Sequence, residues 1–340
     1  FVRNLKEDLL RRDFTINAMA YNEKEGLVDI FGGMDDLKAG IIRCVGNAQA
    51  RFSEDALRIL RGIRFAAQLG FELEDETREG MRLLAPTLRK ISAERIQVEL
   101  VKTLTSSRPD LLREAWKLGI TKEFLPEFDL AMETTQETVH HMYTVGEHIL
   151  HTLLEVRADR ILRLTMLLHD IGKPYMKTMD ADGVAHFKGH PEKSSELANE
   201  ILHRLKFDND TIRKVTKLVR YHDHRMPVTP AHVRRAIHEI GEDLFPLYLE
   251  VRRADVSAQS MYQREEKVAD IDGVEKLYHE IMERKECVSL KMLAVTGKDL
   301  IAAGMKPGKE IGQMLEHFLD LVLEHPELNQ KEELLKRIEL

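Results

Sequence analysis

The sequence predicts a mainly α protein with a short β element at its amino end, and three observations carry that expectation. Hydrophobic residues make up 43% of the 340 residues, charged residues 32% and aromatics 6%, the balance of a helix-prone globular chain rather than a disordered or membrane-embedded one. Apolar residues recur at helical spacing from Ser53 onward. Only residues 14–45 read as short strands punctuated by glycine. The length suits two or three domains, each able to bury its own core.

In order along the chain, strands are expected at Thr15–Tyr21, Leu27–Phe31 and Ile41–Val45, with Gly32, Gly33 and Gly40 between them. One helix should then run from an N-cap at Ser53 to a stop at Gly70, its apolar face formed by Ala56, Leu57, Leu60, Ile63, Phe65, Ala67 and Leu69. Helices follow at Asp75–Leu84, Ala93–Thr105 with Ser92 as cap, and Asp110–Lys117, and Pro126 marks a boundary. Beyond it the periodicity gives Thr144–Val156, Arg160–His169, Pro191–Leu205, Asp210–Tyr221, Pro230–Ile240, Leu244–Ala254 and a long Tyr262–Arg284. The tail from Val288 is helical but interrupted at Gly304, Pro307, Gly308 and Gly312, with Pro326 near its end.

No apolar run approaches the ~20 residues that a bilayer span needs, so no membrane partner is expected. Cys44 and Cys287 lie far apart with no CxxC pattern, which argues against a disulfide framework or a thiolate zinc site and makes the cytoplasm the expected address. The chain opens on Phe1 without the pattern of a secretory leader.

The net charge of −7 hides a division. Residues 1–125 hold 21 Lys and Arg against 20 Asp and Glu, leaving 30 against 38 in the remainder. All 15 histidines lie after position 139, and 12 of them fall between His140 and His238. Neutral imidazole is the commonest metal ligand, and an acidic region suits a bound cation.

Asp55, Arg58, Arg61 and Arg64 fall at intervals of three. On a helix each is turned by roughly 300° from the last, giving a slowly drifting stripe of one carboxylate and three guanidinium forks. Such a stripe suits reading a base edge and neutralising a triphosphate. The same spacing equally fits a salt-bridged, solvated helix face. Arg11 and Arg12 stand directly before a strand, a placement that presents side chains to phosphate.

Three stretches taken together carry a resemblance: Arg11-Arg12-Asp13-Phe14-Thr15-Ile16-Asn17-Ala18-Met19-Ala20, then Asp29 to Leu37, then Arg51-Phe52 with Glu54 to Arg58 and Arg61 to Phe65. In order and spacing they resemble the bacterial tRNA nucleotidyltransferase and poly(A) polymerase family, whose class II members add the CCA end to tRNA. A weaker likeness continues through Thr296–Ile301 and Gly304–Gly312. The resemblance implies tRNA as partner, CTP and ATP as substrates, Arg12 on the incoming triphosphate, Asp55 and Arg58 as the template selecting the base, Arg61 and Arg64 supporting the nucleotide, and Asp29–Leu37 as a hinge. It also implies magnesium held by a glycine-rich stretch and paired aspartates of the polymerase head. Neither stands upstream of Arg11, so the sequence is read as the carboxy-terminal part of a longer enzyme, and transfer by this chain alone is not expected.

The histidine-rich region offers His148, His169-Asp170, His190, His222 and Asp255, separated by 21, 20, 32 and 33 residues. Such intervals let each ligand come from a different helix and converge on the core of a bundle. Asp170 ends an apolar run, where an uncompensated carboxylate is costly and a cation is an economical partner. Imidazole and carboxylate donors without thiolate suit Mg²⁺, Mn²⁺, Fe or Ni better than structural zinc. Lys173 is placed to meet a phosphate oxygen. His140 and His141 are read as supporting residues, and the other histidines as surface or capped.

This set resembles the HD superfamily of metal-dependent phosphohydrolases, with His148, His169, Asp170 and Asp255 as the core and His190 and His222 suggesting a second metal. The resemblances together imply four parts: 1–46 as the remainder of a nucleotidyltransferase α/β head, 47–125 as a helical neck that binds nucleotide and RNA, 126–286 as a helical HD bundle, and 287–340 as a helical tail. The leading functional reading is tRNA CCA-end nucleotidyl transfer with an added phosphohydrolase. A stand-alone HD phosphodiesterase or phosphatase and a non-catalytic tRNA-binding body remain the alternatives. No protein partner is expected.

Overall fold

The computed structural model describes residues 4–139 and 142–338, so His140 and His141 lie outside the described residues. The chain is mainly helical and divides into two compact units, residues 1–222 with 257–262, and residues 223–256 with 263–340.

The first unit opens with a small amount of sheet. The antiparallel hairpin β1 (Met19–Asn22) and β2 (Gly26–Asp29) pairs Met19 with Asp29, and the two-residue strands β3 (Ile41–Ile42) and β4 (Glu72–Leu73) run parallel. The expected strand at Thr15–Tyr21 is corrected to a 3-10 turn, Thr15–Asn17, followed by β1. Local hydrogen bonding explains the change: Asp13 accepts from the Phe14 amide at 3.0 Å, and the Thr15 hydroxyl donates to Asp36 at 2.6 Å. The expected strand over Leu27–Phe31 ends early, because Asp29 accepts from the amides of Gly33 and Met34 and starts an unforeseen helix, Gly33–Ala39. Burial alone would raise the Asp29 carboxyl, but four backbone amides from Phe31 to Met34 hold it below its ordinary range.

The helix expected from Ser53 to Gly70 is in fact two, Ala48–Glu54 and Leu57–Leu69. Ser53 lies inside the first, whose cap is Asn47, accepting from the Ala50 amide at 2.9 Å. The break falls at Asp55, which is extended (φ −149°, ψ 103°) and accepts from the Leu57 amide at 3.1 Å. Gly70 does end the second helix, in the left-handed region at φ 71°. Helices Asp75–Leu84 and Ala93–Leu104 follow as expected, and Pro126 proves to be the first residue of a helix, Pro126–Glu133, where its missing N–H costs nothing. Phe14, Phe52, Ile59, Met81, Leu88, Leu104, Ile120 and Phe128 are fully buried. The later helices of this unit are Val145–Glu155, Arg160–Leu168, His190–Arg204 and Asn209–Tyr221.

The second unit comprises Pro230–Ile240, most of Phe245–Ser257, Arg264–Glu283, Gly297–Ala302, Lys309–Glu324 and Lys331–Leu335. Part of its core gathers Cys287, Leu293, Val295, Leu300, Phe318, Leu319, Val322, Leu323 and Leu334. Arg234, 4% exposed, donates to the Leu323 carbonyl at 2.7 Å and to Glu286 at 2.7 Å, closing the carboxyl end of the 309–324 helix. Both cysteines are free and buried. No helix among the described residues is long and apolar enough to cross a membrane.

Candidate nucleotide cleft and candidate metal centre

The break at Asp55 builds the first site. Because Asp55 leaves the helix, its carboxylate turns into a cleft of about 430 Å³ lined by Arg11, Arg12, Asp13, Asn17, Asp55, Leu57, Arg58, Arg61 and Arg95. Five guanidinium groups face two carboxylates there, an excess of positive charge that suits a polyphosphate. Arg61 donates to Asp13 at 2.6 Å. Arg58 is held by Glu54 at 2.9 Å, by the Arg51 carbonyl at 3.0 Å and by the Arg11 carbonyl at 2.8 Å. Arg12 is exposed and meets Asp8 at 3.4 Å.

Asp55 accepts from Arg95 at 2.7 Å. Partial burial alone would raise its carboxyl, but the Arg95 hydrogen bond, the Leu57 amide and the charges of Arg95 and Arg58 hold it below the ordinary carboxylate range. The even ladder of four is thus not one stripe. Asp55, Arg58 and Arg61 line the cleft, whereas Arg64 is 8% exposed and ion-paired with Glu99. Arg95 escapes a sequence reading because it sits 40 residues from Asp55 on another helix, with no local pattern to mark it.

The cleft does not fit magnesium. Its two carboxylates, Asp13 and Asp55, are each already neutralised by an arginine, and a Mg²⁺ site needs carboxylates that are open to the ion.

The second site lies within the first unit. His148 comes from the Val145–Glu155 helix, whose cap Thr144 accepts from the Glu147 amide. His169 ends the Arg160–Leu168 helix with Asp170 directly after it, His190 begins the His190–Arg204 helix, and His222 ends Asn209–Tyr221. All five are at most 9% exposed. Their Nε2 atoms surround Asp170 at 3.6 Å (His148), 3.4 Å (His169), 3.3 Å (His190) and 3.4 Å (His222).

Three of these rings are oriented the same way. The Nδ1 of His169, His190 and His222 each meets the carbonyl three residues earlier, Met166, Phe187 and Val219, at 2.7, 2.9 and 2.6 Å. A carbonyl accepts only, so these Nδ1 atoms donate and, in neutral rings, the Nε2 lone pairs turn inward. Two of them, on His190 and His222, stand 3.2 Å apart, a repulsive pairing unless a cation or a proton lies between. Two ligand groups result, His148 with His169 and Asp170, and Asp170 with His190 and His222. The donor set therefore fits one or two divalent cations of the nitrogen- and oxygen-liganded kind. Burial alone would raise Asp170, yet the Lys173 ammonium at 2.7 Å and the surrounding imidazoles hold it well below the usual carboxylate range. Lys173 also donates to Gln136 at 3.1 Å.

A close approach brings the two ligand groups together. The Gly172 amide donates to the Ser194 hydroxyl at 2.9 Å, and a Cβ on Gly172 would lie 2.5 Å from the Ser194 backbone nitrogen. Asp255, 4% exposed, belongs to the second unit, on the Phe245–Ser257 helix.

Three family descriptions match this chain: "Poly A polymerase head domain" over residues 1–43, "Probable RNA and SrmB-binding site of polymerase A" over 70–132, and "tRNA nucleotidyltransferase domain 2 putative" over 186–338. The last spans His190, His222 and Asp255, and the first spans Arg11, Arg12 and Asp13. An A-adding tRNA nucleotidyltransferase from Deinococcus radiodurans is 35% identical over 92% of this chain and 74% of its own length. A CCA-adding enzyme from Streptococcus thermophilus is 32% identical over 98% of this chain and 72% of its own length. The crystal structure of the Bacillus stearothermophilus CCA-adding enzyme in complex with CTP matches with a TM-score of 0.65 at 25% identity, covering 96% of this chain and 71% of that one. The chain belongs to the tRNA nucleotidyltransferase family that includes A-adding and CCA-adding enzymes.

Proposed function

We propose that this protein adds nucleotides to the 3′ end of tRNA, with CTP and ATP as substrates, and that the arginine-lined cleft is where the incoming nucleotide is read. The convergence of Asp55, Arg58, Arg61, Arg95 and Arg12 on one cleft carries the reading. Arg12 and Arg61 neutralise phosphate oxygens. The Asp55 carboxylate accepts from an exocyclic amine, which cytosine (N4) and adenine (N6) both offer, whereas uracil and guanine present a carbonyl oxygen there. Magnesium supplies charge neutralisation and in-line alignment to phosphoryl transfer, and the cleft residues do not hold it. The test is equilibrium binding of CTP and ATP to this chain, with Asp55→Ala beside it. Loss of CTP and ATP binding in the variant supports the reading, and a wild-type chain that binds neither sinks it.

A second reading, favoured by the buried histidine cluster, is a metal-dependent phosphohydrolase of the HD type within residues 126–286. His148, His169, Asp170, His190 and His222 would hold the ion. A bound divalent cation supplies a water of lowered pKa for attack on a phosphate ester. The chain's own part is to orient the imidazoles through their Nδ1 contacts and to set the Lys173 charge beside the phosphate. Metal content after dialysis against Mn²⁺ or Ni²⁺, and hydrolysis of a generic phosphodiester, decide it. Both should vanish in Asp170→Ala, and a wild-type protein that retains no metal at saturating Mn²⁺ ends this reading.

A further inference from the structure

Two ion pairs of opposite sense join the Ala93–Leu104 helix to the elements that carry the cleft. In the buried one, Arg64 of the Leu57–Leu69 helix donates to Glu99 at 2.5 Å. One turn earlier on the same partner helix, Arg95 donates to Asp55 at 2.7 Å, with the two side chains 49% and 35% exposed. The buried pair fixes the register of the two helices. The outer pair stands at the cleft, and Arg95 is among its lining residues.

A carboxylate has about four acceptor positions on its two oxygens. In Asp55 the Leu57 amide takes one on Oδ1 and Arg95 takes one on Oδ2, so the plane of the group is fixed at both ends and each oxygen keeps acceptor capacity. We propose that Arg95 is the positioning residue that sets base selection, pinning the Asp55 carboxylate in one orientation so that it takes the amino group of cytosine or adenine and repels the carbonyl oxygen of uracil or guanine. The inference rests on the reading of Asp55 as the base acceptor. Support comes from the same contact keeping Asp55 ionised, since a protonated carboxyl would donate to a carbonyl oxygen and admit the wrong base. Without Arg95 the carboxylate is tethered by one amide only and is free to rotate. Four other guanidinium groups of the cleft, on Arg11, Arg12, Arg58 and Arg61, remain to meet the triphosphate when Arg95 is removed.

The experiment measures equilibrium binding of CTP, ATP, UTP and GTP, and of inorganic tripolyphosphate, to the full chain and to Arg95→Ala and Arg95→Lys. A wild-type preference for CTP over UTP that falls about tenfold in Arg95→Ala, the scale of one base-edge contact, with tripolyphosphate affinity falling by less than the affinity for CTP, is the expected result. Arg95→Lys restores a charge without the planar fork and should recover part of the preference. It also serves as the working variant where Arg95→Ala does not fold. Full preference retained in both variants overturns the inference, as does a loss of tripolyphosphate affinity equal to the loss for CTP, which would make Arg95 a phosphate ligand. A wild-type chain that binds CTP and UTP equally overturns the base-acceptor reading itself, and this inference with it.

Discussion

Arg64 and Glu99 meet at 2.5 Å with side chains 10% and 5% exposed, a buried ion pair between two helices that also brings the Arg64 guanidinium over the Phe65 ring. Removing one partner of such a pair leaves an uncompensated buried charge, at a cost of about 3–5 kcal/mol. Glu99→Ala should therefore lower the stability of the first unit by about that amount in urea unfolding. Replacing both residues by apolar ones, Arg64→Met with Glu99→Leu, should recover most of the loss. A Glu99→Ala protein as stable as the wild type would show that Arg64 finds another partner.

Gly172 should tolerate no side chain. A Cβ there would lie 2.5 Å from the Ser194 nitrogen, a backbone atom of the helix that begins with His190. Gly172→Ala must push that helix from Asp170 or shift Asp170 itself, and both movements separate the two ligand groups. We expect weaker Mn²⁺ retention with secondary structure by circular dichroism close to the wild type, and an unchanged metal content would refute it.

Asp299 gives a pH dependence confined to the tail. Hydrogen bonds from Lys331 and from Thr296 push its carboxyl down to about 2 from an ordinary value of 3.8. A group depressed on folding stabilises the folded form above its unfolded value, and that contribution is lost as pH falls through the folded one. The capping contact at Thr296 should therefore be intact above pH 3.8 and weaken toward pH 2. Carbon-detected NMR titration of the Asp299 carboxyl would show a midpoint near 2, and a midpoint near 4 would mean the Lys331 pair does not persist in solution.

Much of the helical layout was legible because periodic apolar residues and capping signals act locally. Ser92, Thr144 and Gly70 sit at the helix ends where their residue types favour them. The failures are equally local in cause. At Asp13, Asp29 and Asp55 a short carboxylate captures backbone amides and replaces the expected strand or helix with a turn or a break. Periodicity sees only the apolar residues around such a position and reads through it.

The histidine set shows a different limit. Spacings of twenty or more residues suggested separate helices meeting in a core, and the four imidazoles with Asp170 do meet. Nothing in the spacing tells which ring nitrogen turns inward, since that depends on the carbonyls of Met166 and Val219 in the last turns of their helices and of Phe187 in the loop before the His190–Arg204 helix.

The sequence by itself determined the helical class, the residue types able to bind phosphate and metal, and the order in which they occur, because composition and local spacing act through the covalent chain. Only the tertiary structure decided that Arg95 rather than Arg64 joins Asp55 at the cleft, and that Glu99 claims Arg64. Those pairings span 40 and 35 residues of sequence, and which guanidinium faces which carboxylate follows from how two helices pack, a property of the folded core.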